Sequence, residues 1–162
     1  MHPRAAEFRE RVRERHDLTV EVEEFPEGTR TAADAADAIG CAVDRIASSL
    51  VFETGAGVVV VVASGADRVS EAKLAEALDV SERTVTTADP GRVREVTGWS
   101  IGGVPPLCHD GDPRVLVDGD LLDRPVVYAA AGTPEAVFRI DPDRLRRLAG
   151  AETVDVTGDD GR

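Results

Sequence analysis

Hydrophobic positions along the chain follow two periods, one typical of helices and one typical of strands. In residues 4–16, Phe8 and Val12 lie four positions apart within a charged segment, which predicts a helix with a narrow apolar stripe. Alternation over residues 18–22 predicts a strand. Both patterns recur toward the C-terminus. They predict helices at 31–39, 71–78, 90–96 and 142–148, and strands at 46–54, 58–63, 115–117, 126–131, 136–140 and 153–156.

Capping and breaking residues delimit these elements. Thr31, with Asp34 three residues later, resembles a capping box and marks the start of the second helix. Pro26 and Gly28 are expected to end the first strand. Ser70 precedes the third helix as its N-cap. These three predicted elements therefore have a local start or stop signal as well as a periodic pattern.

Helices and strands alternate over nearly the whole chain, without an internal repeat or a linker. The segment 58–63 is entirely apolar and mostly β-branched, which predicts a strand buried on both faces. We predict one mixed α/β domain over residues 1–157, followed by a frayed tail at 158–162.

The charge balance is strongly acidic. The net charge is −12, the isoelectric point is near 4.6, and Lys73 is the single lysine among 19 basic residues. Such an acidic, lysine-poor composition is typical of proteins adapted to molar salt, where the Debye length falls to about 3 Å. At ordinary ionic strength this charge would argue against an RNA partner. In molar salt, counterion release contributes little, so the charge does not exclude an RNA ligand.

Cysteine usage and hydropathy indicate the compartment. The two cysteines, Cys41 and Cys108, are too few for a disulfide framework. No apolar run approaches the roughly 18–20 residues of a membrane helix, and the N-terminus lacks the apolar core of a signal peptide. These features predict a soluble, cytoplasmic protein with no membrane partner.

Two glycine-rich segments are the strongest candidates for chemistry. In the segment 98–106, Gly102 and Gly103 permit close approach of a ligand to the backbone, and Pro105 with Pro106 stiffens the exit. A rigid loop with exposed N–H groups is suited to hold a carbonyl oxygen or a phosphate, although an ordinary tight turn is the alternative. The segment 129–134 either borders a pocket or ends a strand where helices pack closely.

Side-chain chemistry is sparse elsewhere. Cys108 and His109 are sequence neighbours whose side chains tend to diverge, and no further cysteine or histidine completes a metal site, so we predict no metal and no cofactor. An unrelated hydrolase built on this Cys-His pair is a third hypothesis. Asp118 and Asp120 form either a carboxylate pair or a cap ahead of Leu121, and the cap is the preferred interpretation.

Several motifs together resemble a known family. The string Ile-Ala-Ser-Ser-Leu-Val-Phe at 46–52, the glycine-rich segment from Thr97 to Pro106, Asp118 before Leu121, and Ala-Ala-Gly-Thr-Pro at 130–134 are similar to the YbaK/ProX-type aminoacyl-tRNA editing domain. The resemblance extends from about residue 5 to residue 151, and the glycine-proline segment is its most specific part. It implies a compact α/β fold with a curved, barrel-like mixed sheet and surrounding helices, related to the editing insertion of prolyl-tRNA synthetases.

The resemblance also implies an activity. Free-standing members hydrolyse the ester of mischarged tRNA in trans. The expected partners are therefore the acceptor end of an aminoacyl-tRNA and a prolyl-tRNA synthetase. The expected oligomeric state is a monomer. Cys- or Ala-tRNA-Pro are the expected kinds of substrate. Gly102 and Gly103 would polarise the ester and Ser48 occupies a catalytic position. The implied substrate-binding residues are Ser49, Ile101, Val104, Pro105, His109, Gly132, Thr133 and Arg45.

Two departures from the family pattern suggest an alternative function. Ser48 stands where the family usually has a lysine, and Glu135 follows Gly-Thr-Pro where relatives often have histidine. Either the phosphate contact has moved to an arginine such as Arg45 or Arg68, or the chemistry is reduced. The alternative is a non-catalytic module that binds aminoacyl-tRNA or an amino acid with the same fold.

Overall fold

The computed structural model describes residues 1–25 and 31–158, which form five α-helices packed around one mixed sheet. The helices are α1 Pro3–His16, α2 Ala32–Ile39, α3 Glu71–Leu78, α4 Pro90–Thr97 and α5 Pro142–Ala149. The strands are β1 Val22–Glu24, β2 Ile46–Thr54, β3 Gly57–Ser64, β4 Thr86–Thr87, β5 Arg114–Asp118, β6 Val127–Ala130, β7 Ala136–Ile140 and β8 Glu152–Val154. Short 3-10 turns lie at Val43–Arg45, Glu82–Thr84 and Gly119–Asp123.

The strands form one sheet in the order β1-β7-β6-β2-β3-β5-β8, and β4 pairs with β2 as its third partner. Neighbours β6 and β2, β3 and β5, and β5 and β8 run parallel, whereas the remaining pairs are antiparallel. The predicted α/β class, with a mixed sheet and surrounding helices, is confirmed.

Strand β3 is the centre of the molecule. Val60 and Val62 pack into the main core, whereas Val59 and Val61 pack into a second cluster beneath α3. All four side chains are at most 1% exposed. The prediction of a strand buried on both faces is therefore confirmed, because the two alternating sets of side chains meet two different hydrophobic clusters.

The first strand lies later in the chain than predicted. The alternation over residues 18–22 predicted a strand, but β1 pairs with β7 only from Val22 to Glu24. Val20 is buried in the main core and Leu18 packs against it without strand pairing. Burial alone therefore accounts for the alternation. The expected strand end at Pro26 and Gly28 lies outside the described residues, as do residues 159–162 of the expected tail.

The predicted helix starts are present. Thr31 and Asp34 form a full capping box at α2, and the Ser70 hydroxyl accepts the Lys73 N–H at α3. Asp118 accepts the Asp120 N–H, and its carboxylate also accepts bonds from the Val156 N–H and the Thr157 hydroxyl. The preferred cap interpretation of Asp118 is confirmed. None of the helices in the described ranges has the length and apolarity that crossing a bilayer requires.

Candidate active site

A gap in strand pairing along β2 creates the candidate site. On one edge, β6 pairs with β2 only at Ile46 and Ala47, and β4 pairs only at Phe52 and Glu53. Within the described ranges, the four residues 48–51 between them have no strand opposite on that edge. The opposite edge of β2 is paired with β3 throughout. The sheet therefore has a notch beside the middle of β2.

A cavity of about 350 Å³ fills this notch. Its walls come from β2, from α2, from the segment around Ala88 and Val93, from the glycine-rich loop and from the turn after β6. The lining residues are Thr31, Ala32, Ala35, residues 46–52, Thr87, Ala88, Val93, Ile101, Gly102, Val104, Ala130, Pro134, Ala136 and Val137. Leu50 and Ile101 are 40% and 52% exposed, so two large apolar side chains form part of its solvent-facing boundary.

The described part of the cavity lining is uncharged. None of the lining residues among those the structure describes carries an ionisable side chain. The polar side chains of this lining are the hydroxyls of Thr31, Ser48, Ser49 and Thr87. The Ser49 hydroxyl is buried and has no hydrogen-bond partner in the described part of the chain. Any polar recognition in this cavity therefore depends on hydroxyls and on the main chain.

The glycine-rich loop packs directly against the turn that follows β6. Gly102 adopts a φ of +85°, and the Gly103 N–H donates to the Ser100 carbonyl at 2.9 Å. A Cβ on Gly103 would lie 2.6 Å from Thr133 Cα, and one on Gly102 would lie 3.3 Å from Pro134 Cγ. Glycine is required here because two backbone segments approach more closely than any side chain allows.

Trp99 anchors the loop in the core. Its side chain is fully buried, and its Nε1–H donates to the Cys108 carbonyl at 3.0 Å. Phe8 of α1 meets its ring edge-on, with the centroids 6.1 Å apart. The guanidinium groups of Arg4 and Arg11 lie 4.1 Å and 4.9 Å from its ring centroid, in cation–π geometry. Helix α1 therefore holds the loop from behind.

Further α1 side chains bind main-chain carbonyls of the same region. Arg4 donates to the Gly98 carbonyl, and Arg15 donates to the His109 carbonyl at 3.0 Å. Arg11 forms an ion pair with Asp110 at 2.6 Å. These arginines are used to position the loop that borders the cavity, and none of them lines the cavity itself.

The surroundings of Cys108 and His109 do not favour nucleophilic chemistry. Burial raises the pKa of the Cys108 thiol, which favours the unreactive protonated form. The His109 ring nitrogen Nε2 lies 2.7 Å from the Pro105 carbonyl oxygen, to which the neutral ring donates. Neither residue lines the cavity. The geometry therefore gives no support to the hypothesis of a hydrolase built on this pair.

The buried His109 predicts a pH-dependent stability. Burial lowers the pKa of His109, opposed by its bond to the Pro105 carbonyl, so the folded protein resists protonation where the unfolded chain accepts a proton. The free energy of unfolding should fall as pH drops below about 6.5. Between about pH 7.5 and pH 5.5, wild type should lose up to about 1.4 kcal/mol more than H109Q, measured by urea unfolding.

The H109Q variant is a suitable comparison because its amide still donates toward the Pro105 carbonyl. His16, whose pKa is also lowered by burial, is present in both proteins and cancels in the difference. Equal losses of stability in the two proteins over this pH range would contradict the prediction.

The structure brings some of the predicted site residues together and leaves others outside the cavity. Those that line it are Ser48, Ser49, Ile101, Gly102 and Val104. Gly103 and Thr133 pack against one another directly behind this lining. Pro105, His109, Gly132 and Arg45 are not part of the lining, and the exposed Arg68 is not part of it either.

Several lining residues were missed by sequence reasoning. Ala88 and Val93 flank the start of α4, and Thr87 belongs to the two-residue strand β4. Their sequence pattern resembles any short connection before a helix. Ala32 and Ala35 of α2 also line the cavity, and the start of that helix was recognised, but its contact with β2 is a tertiary feature.

Three carboxylates gather on a different part of the surface. Oxygens of Asp67, Asp118 and Asp120 lie within 4.8 Å of one another. Burial, reinforced by the two neighbouring carboxylates, raises the pKa of Asp67. Asp118 already accepts three hydrogen bonds from its own chain. Capping therefore accounts for the Asp118 carboxylate, and none of the three residues is part of the cavity lining.

Comparison with known proteins identifies the family. Residues 26–148 match the model of the aminoacyl-tRNA editing domain. The chain belongs to this family. The chain is 31% identical over 141 residues to the uncharacterized protein YwhH of Bacillus subtilis, covering 86% of this chain and 88% of that protein. It superposes on the crystal structure of a candidate trans-editing enzyme for prolyl tRNA synthetase with a TM-score of 0.91 and 37% identity, covering 98% and 99% of the two chains.

The editing domain also matches part of larger proteins. It is 29% identical over 125 residues to the proline–tRNA ligase of Lactobacillus helveticus, which covers 73% of this chain but 22% of the ligase. The chain thus spans about a fifth of that ligase. The matched family segment starts after α1, so the helix that braces Trp99 lies outside it.

Proposed function

We propose that the protein is a trans-acting deacylase that hydrolyses the ester of mischarged aminoacyl-tRNA, with Cys- or Ala-tRNA-Pro as the kinds of substrate. The observation that carries this proposal is the cavity between the open edge of β2 and the Gly102–Gly103 segment, whose described lining is uncharged. Family membership supports the same chemistry. The expected partner is the acceptor end of the tRNA, with a prolyl-tRNA synthetase acting in the same step of translation in the cytoplasm.

The reaction needs no nucleophilic side chain. Water attacks the ester carbonyl, the bond to the ribose oxygen breaks, and the water proton passes to that oxygen, which gives the free amino acid and the tRNA hydroxyl. A rigid main-chain segment near the carbonyl, with Gly102 in the lining and Gly103 holding the loop against Thr133, stabilises the negative charge that develops on the carbonyl oxygen. Because the described lining has no ionisable side chain, we assign the orientation of the water to the substrate's own ribose hydroxyl.

Selection among amino acids follows from the size of the cavity walls. Val93 and Val104 are 1% and 3% exposed, and Ala88 and Ala136 add small side chains. One extra methylene in such an apolar pocket changes the free energy of binding by about 1–3 kcal/mol. These apolar walls therefore select among amino acids by the volume of the side chain.

A panel of mischarged tRNAs tests the proposal. Alanyl- and cysteinyl-tRNA-Pro, with correctly charged prolyl-tRNA-Pro as the control, should be incubated with the protein in molar KCl, because the acidic surface is screened there. We expect release of alanine or cysteine well above the spontaneous rate, with prolyl-tRNA-Pro spared. Hydrolysis at the spontaneous rate for every mischarged pair would reject the deacylase.

A second candidate function is a binding module without turnover. It is favoured by Ser48, which lines the cavity where the family usually has lysine, and by the lack of an ionisable group in the described lining. Such a module would bind aminoacyl-tRNA or an amino acid and release it unchanged.

The S48K variant distinguishes the two functions. If the protein is a binding module that has lost turnover, the cation restored beside the cavity should raise the rate of hydrolysis by about 10-fold or more. The reason is that a charge-assisted hydrogen bond contributes about 1.5–3 kcal/mol. In an active deacylase whose phosphate contact has moved to an arginine, S48K should leave an already robust rate nearly unchanged. S48R, which is larger and forked, serves as the matched cationic control.

A further inference from the structure

The open edge of β2 presents main-chain groups of known direction. In an antiparallel strand, both polar groups of a residue point to one side, and successive residues alternate. The Ile46 carbonyl accepts from the Gly65 N–H at 2.7 Å, on the β3 side, whereas the Val51 carbonyl accepts from the Ala88 N–H at 3.0 Å, on the opposite side. Even-numbered residues of β2 therefore face β3, and odd-numbered residues face the gap.

Ser49 is the residue at the centre of this gap. By the same alternation, its N–H and C=O both point into the cavity that it lines. Pairing with β6 ends at Ala47 and pairing with β4 resumes at Phe52, so no strand residue in the described ranges lies opposite Ser49. Main-chain donors and acceptors at such a position require a partner from solvent or from a ligand.

We propose that an aminoacyl residue docks against Ser49 as a one-residue antiparallel strand, an inference that rests on the proposed deacylase function. The substrate's α-amino group donates to the Ser49 carbonyl, and its ester carbonyl accepts from the Ser49 N–H. These are the two bonds of a hydrogen-bonded antiparallel pair. The open edge of β2 thus recognises the part that all α-amino acids share.

Because the substrate is antiparallel to β2, its ester lies toward the glycine-rich loop. The Ser49 N–H lies on the Ala47 side of the residue, and Ala130, which follows the β6 residue paired with Ala47, lines the cavity there. Pro134 lines the same cavity and lies next to Gly102. The scissile carbonyl is therefore placed at the end of the cavity that Gly102 lines.

The same docking sets the direction of the substrate side chain. Directly opposite residues of an antiparallel pair direct their side chains to the same face of the sheet. Ser49 shares its face with Ala47 and Val51, which both belong to the main core. The substrate side chain then enters the region of the small buried walls, Val93 and Val104.

The amino group has few other acceptors. No aspartate or glutamate is part of the described lining, so a carboxylate is not at hand for an ammonium group. The Ser49 carbonyl is the acceptor that the geometry provides. The inferred substrate class is therefore esters of α-amino acids with a free α-amino group, and not esters of simple carboxylic acids.

A pair of matched substrates tests this class. Alanyl- and propionyl-tRNA-Pro differ only in the α-amino group, and each rate is divided by its own spontaneous rate to remove the difference in ester reactivity. We expect the enhancement for propionyl to be about 10- to 100-fold lower, the range for a lost bond to a charged group. Equal enhancements would overturn the inference while leaving the deacylase intact. If neither ester is hydrolysed, the proposed function fails and the inference fails with it.

Hydrogen exchange locates the docking without relying on turnover. The Ser49 amide should exchange quickly in the free protein and at least about 10-fold more slowly with a non-hydrolysable amide-linked alanyl-adenosine. The Ser48 and Leu50 amides, which face β3, are the internal controls and should be slow in both states. Protection of the Val51 amide instead of Ser49, or of neither, would overturn the proposed register.

Discussion

Replacing Gly103 by alanine should reduce deacylation by about 100-fold or more, because displacement of catalytic groups by about 1 Å has effects of this size. The new Cβ would lie 2.6 Å from Thr133 Cα and 2.9 Å from the Thr133 nitrogen and carbonyl carbon. These are backbone atoms, so a side-chain rotation does not relieve the overlap. The loop must move away from the turn after β6, and kcat for a mischarged tRNA is the quantity to measure.

G119A is the matched control for this substitution. Gly119 also has an ordinary φ, and a Cβ there would meet nothing closer than 3.7 Å. It lies outside the cavity lining, so the variant should keep the wild-type rate. If G103A has the same kcat as G119A, the close packing of the loop is irrelevant to the chemistry.

Removing the Trp99 side chain should produce the largest loss of stability. Trp99 is fully buried, packs edge-on against Phe8 and donates a hydrogen bond to the Cys108 carbonyl. Truncation of such a side chain to alanine costs about 3–5 kcal/mol. Urea unfolding of W99A should therefore show a free energy of unfolding reduced by that amount, a large share of the stability of a small domain.

Two comparisons separate packing from the hydrogen bond. W99F retains most of the apolar volume but loses the Nε1–H donor, so it should be destabilised less than W99A. R4A removes the guanidinium that lies over the ring and binds the Gly98 carbonyl, and should cost less than either. A loss below about 1 kcal/mol for W99A would show that α1 does not hold the loop through this side chain.

The glycine-rich loop illustrates how much of the site was accessible from sequence. Glycines followed by two prolines are locally unusual, so the segment 98–106 was a candidate before any coordinates. Gly102 does line the cavity, and Gly103 lies directly behind it against Thr133. The sequence did not predict that Gly103 packs against Thr133, because the loop and the turn after β6 are about thirty residues apart in sequence.

In helix α1 the sequence predicted the buried face but not the tertiary contacts. Its charged pattern predicted a helix with Phe8 and Val12 buried, and both are at most 1% exposed. The sequence, however, predicted no partner for its arginines. The structure assigns Arg4, Arg11 and Arg15 to carbonyls and a carboxylate of the loop region, contacts that span more than ninety residues of sequence.

The sequence by itself determined the element types, the caps of α2 and α3, and the doubly buried strand β3, because periodicity and capping depend on residues within one turn or one strand. The predicted strand at 18–22 was misplaced because alternation reports burial and not pairing. Only the tertiary structure decided that β6 and β4 stop short of each other along β2 and leave Ser49 facing a cavity. Strand pairing depends on where distant segments end in space, and no local pattern encodes that distance.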